Sequence, residues 1–153
     1  MIDIEIECDD WLEALPEAEA VATRAVASAL GAVPGDLVVL LTGDAAVRTL
    51  NARFRDKDRP TNVLSFPAAD MPLPGQGPHL GDLVLAFGVC RDEAATQGKT
   101  LANHLTHLVV HGVLHLLGRD HEEDADAEAM EAEERVLLAS LGVADPYILP
   151  HDL

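Results

Sequence analysis

"DLVVLLTGDAAVRTLNARFRDKDRPTNVLSF", residues 36–66, contains a strand, a helix and a second strand in direct succession. "DLVVLLTG" (36–43) is a short apolar run ended by a Thr-Gly turn signal, and Asp44 is placed to cap a helix that continues to about Phe54. "NVLSF" (62–66) is the next strand, and "RDKDRPT" (55–61) connects the two. Upstream, the alternation in "IDIEIEC" predicts another strand, and the Ala-rich run from Pro16 to Leu30, ended by Gly31, predicts a helix. Downstream, a Pro/Gly loop, "PAADMPLPGQGPH" (67–79), leads to a fourth strand at "GDLVLAF" (81–87). A helix ending near Gln97 and Gly98, a long apolar helix capped by Thr100 and running through Leu117, and an acidic helix from about Asp124 to Leu141 complete the chain. Strands separated by one helix and then adjacent, followed by helices, favour an α+β fold over a doubly wound one: a mixed sheet of about four strands covered by helices. At 153 residues, the whole chain (1–153) is expected to form a single domain with its own core.

Composition narrows the function classes. No apolar run is long enough to span a bilayer, and "MIDIEIECDDWLE" lacks the basic and apolar regions of a signal peptide, so a cytoplasmic protein without a membrane partner is expected. Cys8 and Cys90 are far apart and form no CxxC pair, so buried, reduced thiols are expected. The net charge of -17 opposes broad nucleic-acid binding. Five of the ten Lys and Arg residues nevertheless cluster as Arg48, Arg53, Arg55, Lys57 and Arg59, against only Asp56 and Asp58 in the same segment.

"HGVLHLLGRDH" (111–121) carries the chemistry. His111 and His115 share one helix face, close enough to hold one ion, and Gly118 can turn the chain so that His121 approaches as a third ligand. The stretch overlays the H-E-x-x-H-x-x-G-x-x-H zinc pattern at every named position except the glutamate, where Gly112 stands. Three neutral imidazoles leave a fourth position for water, whose pKa zinc lowers to about 7, so this metzincin-like site at the end of a long helix suggests catalysis.

The remaining histidines receive plainer readings. His107 and His104 extend the helix stripe as packed or supporting residues, whereas His79 and His151 are expected to be solvated. Of the nine acids between Asp120 and Glu134, most are expected on a solvated helix face, with Asp120 or Glu122 able to orient His121. Asp82 is expected to be a turn or cap residue. Within the basic cluster, a guanidinium such as Arg55 can grip a phosphate with two parallel donors, although a solvated basic turn is the plainer alternative.

With these residues in view, the chain resembles the YbeY family of bacterial endoribonucleases, also called rRNA maturation factors. The resemblance rests on "FRDKDRPTNVLSFP", "LGDLVLA", "HGVLHLLGRDH", "EDADAEAMEAEE" and "DPY", in that order, and covers roughly residues 44–147. It implies a metal-dependent, single-strand-specific endoribonuclease acting in rRNA processing and ribosome quality control, with one zinc ion per chain. It also implies His111, His115 and His121 as metal ligands and Arg55 as the functional arginine. Arg55 and His111 are thus the candidate catalytic residues, and Arg53, Lys57 and Arg59 are candidate contacts to rRNA or other single-stranded RNA. Ribosomal proteins are expected partners, and DNA is not. Arg119 departs from the aromatic residue usual in the family and alters the rim beside the third ligand.

Two rivals stand beside this reading. A ribosome assembly factor with a mainly structural metal is consistent with the scarcity of aromatic residues for base stacking. A zinc metallopeptidase shares the ligand pattern but lacks the glutamate base. The nucleophile stays open between metal hydroxide and the RNA 2'-hydroxyl.

Overall fold

The structure is a computed structural model that describes residues 2–67, 79–118 and 124–146. Its elements are β1 (Ile2–Ile6), α1 (Asp10–Ala14), α2 (Ala18–Leu30), β2 (Asp36–Thr42), α3 (Asp44–Arg55), β3 (Val63–Pro67), β4 (His79–Ala86), α4 (Phe87–Thr96), α5 (Leu101–Leu116) and α6 (Asp124–Ser140). The four strands form one sheet in the order β1-β2-β4-β3. β1, β2 and β4 run parallel, whereas β3 pairs antiparallel with β4, Ser65 opposite Leu83 and Pro67 opposite Gly81. The mixed α+β sheet expected from the element order is therefore present. β3 is an edge strand, which is where Pro67, lacking an N–H for a second neighbour, is tolerated.

Each sheet face is covered by a different set of side chains. Leu37, Val39, Leu41, Leu83 and Leu85 point to one side and pack with Ala22, Val26, Leu105, Val109 and Val113 of α2 and α5 in the main core. On the other side Leu64, Val84 and Ala86 pack with Val47 of α3. Each fully buried Leu or Val contributes roughly 1.5–3 kcal/mol over exposure, so the α5–sheet contact is a rigid base for what it carries. The short helix α1 has no counterpart in the periodicity of the sequence. It is anchored by Trp11, which is fully buried, meets the Phe87 ring edge-on at 5.3 Å and donates its indole N–H to the Thr42 carbonyl.

The boundaries expected from sequence need small corrections. β3 ends at Pro67, β4 begins at His79, and Phe87 opens α4 rather than ending a strand. Asp44 is not the N-cap of α3. Gly43 occupies that position, and the Asp44 carboxylate instead accepts the Val89 N–H in the first turn of α4, tying α3 to α4. A carboxylate near the start of two helices favours both dipoles, and here the hydrogen bond goes to the neighbouring helix.

Candidate active site

α5 forms one wall of the site. Thr100 caps it as expected, its hydroxyl accepting the Asn103 N–H, and Leu116 is its last residue. Gly118 has φ 91°, the left-handed conformation that lets the chain leave the helix axis. His107, His111 and His115 lie one turn apart along one face. The His111 and His115 rings are 4.8 Å apart between centroids at 77°, and His107 and His111 are 6.3 Å apart at 72°. His121, the third expected ligand, lies outside the described residues, as do Arg119, Asp120, Glu122 and His151.

Behind this wall stands a partner that the charge pattern conceals. Glu134 on α6 is fully buried, and its Oε1 meets His111 Nδ1 while Oε2 lies 3.8 Å from His107 Nε2. A buried carboxylate is costly unless it is paired, and here imidazoles supply the pairing. Glu134 is therefore an exception among these acids, most of which are expected on a solvated helix face. The available signal is spacing: Met130, Glu134 and Leu138 are four apart and all buried, so Glu134 lies on the apolar stripe of α6.

This contact selects a tautomer. With the His111 Nδ1 proton directed to Glu134, Nε2 carries the lone pair that a metal ion requires, the carboxylate–histidine arrangement that orients metal-bound imidazoles. His111 and His115 thus fit as two donors to a divalent first-row ion. Among the described residues, no group of three or more His, Cys, Asp or Glu forms a complete cage.

Gly112 explains the missing protease glutamate. A Cβ at this position would lie 2.7 Å from Leu83 Cδ2 and 3.1 Å from Cδ1, and Leu83 is fully buried. The glycine lets α5 approach β4, and any side chain there would enter the core rather than the cleft.

The opposite wall is basic. Arg55, Lys57, Arg59, Asn51 and residues 61–65 face His107, His111 and His115 across a cleft of about 780 Å³. Arg55 ends α3 and donates from Nη2 to the Ser65 carbonyl at 2.5 Å on edge strand β3. Asp56 then turns the chain in a left-handed conformation (φ 57°), and the buried Asn51 organises the segment after it. The Asn51 backbone carbonyl accepts the Lys57 N–H at 3.2 Å, and its side-chain amide donates to the Arg59 carbonyl at 2.8 Å. Arg53 does not line the cleft, and Arg48 is held by Asp58 through Nε at 2.8 Å and Nη2 at 3.2 Å. That pair, hydrogen-bonded and charged, holds the Asp58 carboxyl below and the Arg48 guanidinium above their ordinary ranges. Of the candidate RNA contacts, the structure therefore brings Arg55, Lys57 and Arg59 to the histidines and leaves Arg53 outside.

A third layer braces the cleft floor. Asn62 donates to Glu93 Oε1 at 3.1 Å, and Glu93 Oε1 lies 2.9 Å from Nε2 of the buried His104. We assign the Nε2 proton to this bond. His104 Nδ1 is buried without a hydrogen-bond partner among the described residues, and burial pulls the imidazole pKa down despite the opposing Glu93 contact. His104 is therefore a packed histidine, as expected. His79 is exposed and pairs with Asp82 at 3.1 Å. Burial drives the Cys90 thiol far up, helped by Glu93 and Asp44, so it is inert. Among the described residues no helix is long and apolar enough to cross a membrane.

A mixed sheet that sets edge-to-face histidines across a cleft from arginine and lysine defines a class of protein whose site is complementary in charge to an anion. Comparison with known proteins identifies the class more narrowly. The family profile "Endoribonuclease YbeY" matches residues 3–142. A protein of that name from Paramagnetospirillum magneticum is 52% identical, covering 95% of this chain and 94% of the relative. Another from Azorhizobium caulinodans is 50% identical over 97% of each chain. A solution structure from Thermotoga maritima superposes with a TM-score of 0.61 at 26% identity, covering 92% of this chain and 89% of that one. The chain belongs to the endoribonuclease YbeY family.

Proposed function

We propose that residues 1–153 form one metal-dependent, single-strand-specific endoribonuclease domain that cleaves RNA phosphodiester bonds in rRNA maturation and ribosome quality control. Family membership supports RNA cleavage, and one observation supports the mechanism: the His111–His115 pair and the Arg55 guanidinium face each other across one cleft. His111 and His115, with His121, would hold a zinc ion; the chemistry such an ion supplies is Lewis-acid polarisation of a phosphate oxygen.

The chain's own residues do the rest. Glu134 holds the His111 tautomer through Nδ1. Arg55, pinned to Ser65, directs its remaining donors at a phosphodiester and offsets charge that develops as the bond breaks. Lys57 and Arg59 draw the strand into the cleft against the net charge of -17. The glutamate base of the zinc-peptidase pattern is absent, since Gly112 stands in its place and packs against Leu83, which argues against a peptidase.

The test is bound metal measured by mass spectrometry on wild type and His115→Ala, with cleavage of single-stranded RNA by wild type, His115→Ala and Arg55→Ala. We expect about one zinc per chain, lost in His115→Ala, with cleavage lost in both variants. Metal bound but no cleavage above background in wild type would instead favour an assembly factor with a structural ion.

A further inference from the structure

We infer that Phe54 is a stacking platform for a nucleobase next to the scissile phosphate. The inference rests on the endoribonuclease reading and assigns a binding subsite just outside the cleft. Aromatic residues make up only 3% of the chain, and their placement is uneven. Trp11 and Phe87 are buried against each other, and Phe66 is half-buried on β3. Phe54 is 56% exposed, the one aromatic among the large hydrophobic residues that the described surface exposes.

Its surroundings point to the ligand. Phe54 meets Phe66 edge-to-face, centroids 5.5 Å apart at 69°, and Phe66 packs against the Val47, Leu64, Val84 and Ala86 cluster, so the exposed ring stands on the core. The Arg53 guanidinium lies 5.3 Å from the Phe54 centroid, and that of Arg55 lies 5.4 Å from the Phe66 centroid. Arg55 bridges the two regions, since it also lines the cleft with the histidines. An exposed ring with the Arg53 guanidinium over one face, one residue from the proposed phosphate clamp, complements a nucleotide in both its parts. The base has a π-face for the ring, and the phosphates on either side are anions for Arg53 and Arg55. A base paired in a duplex is stacked on its neighbours and does not offer that face, so the platform also favours single strands.

The test compares wild type with Phe54→Ala, Phe54→Leu and Phe54→Trp on a short single-stranded RNA of mapped cut site, and on the same RNA with abasic residues flanking the cut. Stacking predicts that Phe54→Ala raises KM by about five- to hundredfold with kcat little changed. Phe54→Trp should match wild type, Phe54→Leu should resemble Phe54→Ala, and the abasic substrate should erase the differences. Unchanged KM in Phe54→Ala overturns the inference. So does full rescue by Phe54→Leu, which would indicate an apolar contact to a protein, or a defect that persists on the abasic RNA, which would make the ring a positioning residue for Arg55. Quenching of 2-aminopurine in a 2'-O-methylated strand, present with wild type and lost in Phe54→Ala, reads stacking without cleavage. Quenching by a wild type that cuts nothing would overturn the nuclease reading alone, and cleavage without Phe54-dependent quenching would overturn the stacking alone.

Discussion

The two walls of the cleft are held in place by different physics. The histidine wall is part of the core: α5 buries Leu105, Val109 and Val113 against the sheet, and the fully buried Glu134 orients His111 from behind. The basic wall lies at the sheet edge, and its exposed side chains are organised by hydrogen bonds that the backbone carbonyl and the side-chain amide of Asn51 make to the chain at Lys57 and Arg59. Core packing places the first wall at a high energetic cost of disturbance. The second can shift at a small cost, which suits a surface that must admit a long polymer. Damage to the first wall should therefore appear as lost chemistry and lost stability, and damage to the second as weakened substrate capture, with Arg55 the exception that takes part in both.

On the proposed mechanism Arg55→Ala should have the largest effect, lowering kcat/KM by about 10²- to 10³-fold, the size expected for loss of a donor to developing charge. A loss confined to KM, read from steady-state cleavage, would return Arg55 to the capture wall. Glu134→Gln preserves shape but removes the charge, and on the proposed metal site it should weaken metal binding in chelator competition, and cleavage, by roughly 10- to 100-fold. Unchanged metal affinity would show that the carboxylate only fills the core.

Gly112→Ala tests the packing of the histidine wall. It should destabilise by about 1–2 kcal/mol in urea unfolding, overpacking against Leu83 exceeding the helix propensity gained. A stabilised variant would mean that Leu83 has room to move. Asn51→Ala should raise KM by roughly two- to tenfold, as loop ordering is transferred to the binding step. A comparable fall in kcat would show that the basic wall also sets the reaction geometry.

The smallest effect expected is a pH dependence from His104. Its folded pKa lies below its ordinary value of 6.5, so the unfolded chain binds the proton first as pH falls. Stability is full above that value and declines as pH drops through it towards the folded pKa. His104→Gln should flatten the change in urea midpoint between pH 7.5 and 5.5, and an identical slope in both proteins would assign the change to other groups.

Whether a feature is legible in the residues alone depends on the range over which its signal acts. Alternation in residues 2–6, the apolar run before Gly43 and the Thr100 cap are local, and they lead to the right elements and to a mixed sheet. The spacing of His111 and His115 and the turn at Gly118 are equally local, and the shared helix face and the φ of 91° agree with them. Asp44 misleads a local reading because two helices compete for one carboxylate, and only the meeting of α3 and α4 settles which N–H it accepts. Glu134 is hidden within an acidic run because charge pattern and burial pattern coincide there, and its role depends on α6 docking beside α5.

Caps, periodicity and turns act within a few residues, and for that reason every element but α1, the α+β order, the histidine spacing and the basic cluster can be read directly from the chain. Three outcomes required the folded molecule: Arg55, Lys57 and Arg59, but not Arg53, face those histidines; a buried carboxylate orients His111; and a side chain at position 112 would press on Leu83. Each depends on which surfaces meet when a sheet of long-range pairings closes, and no short segment of chain encodes that meeting.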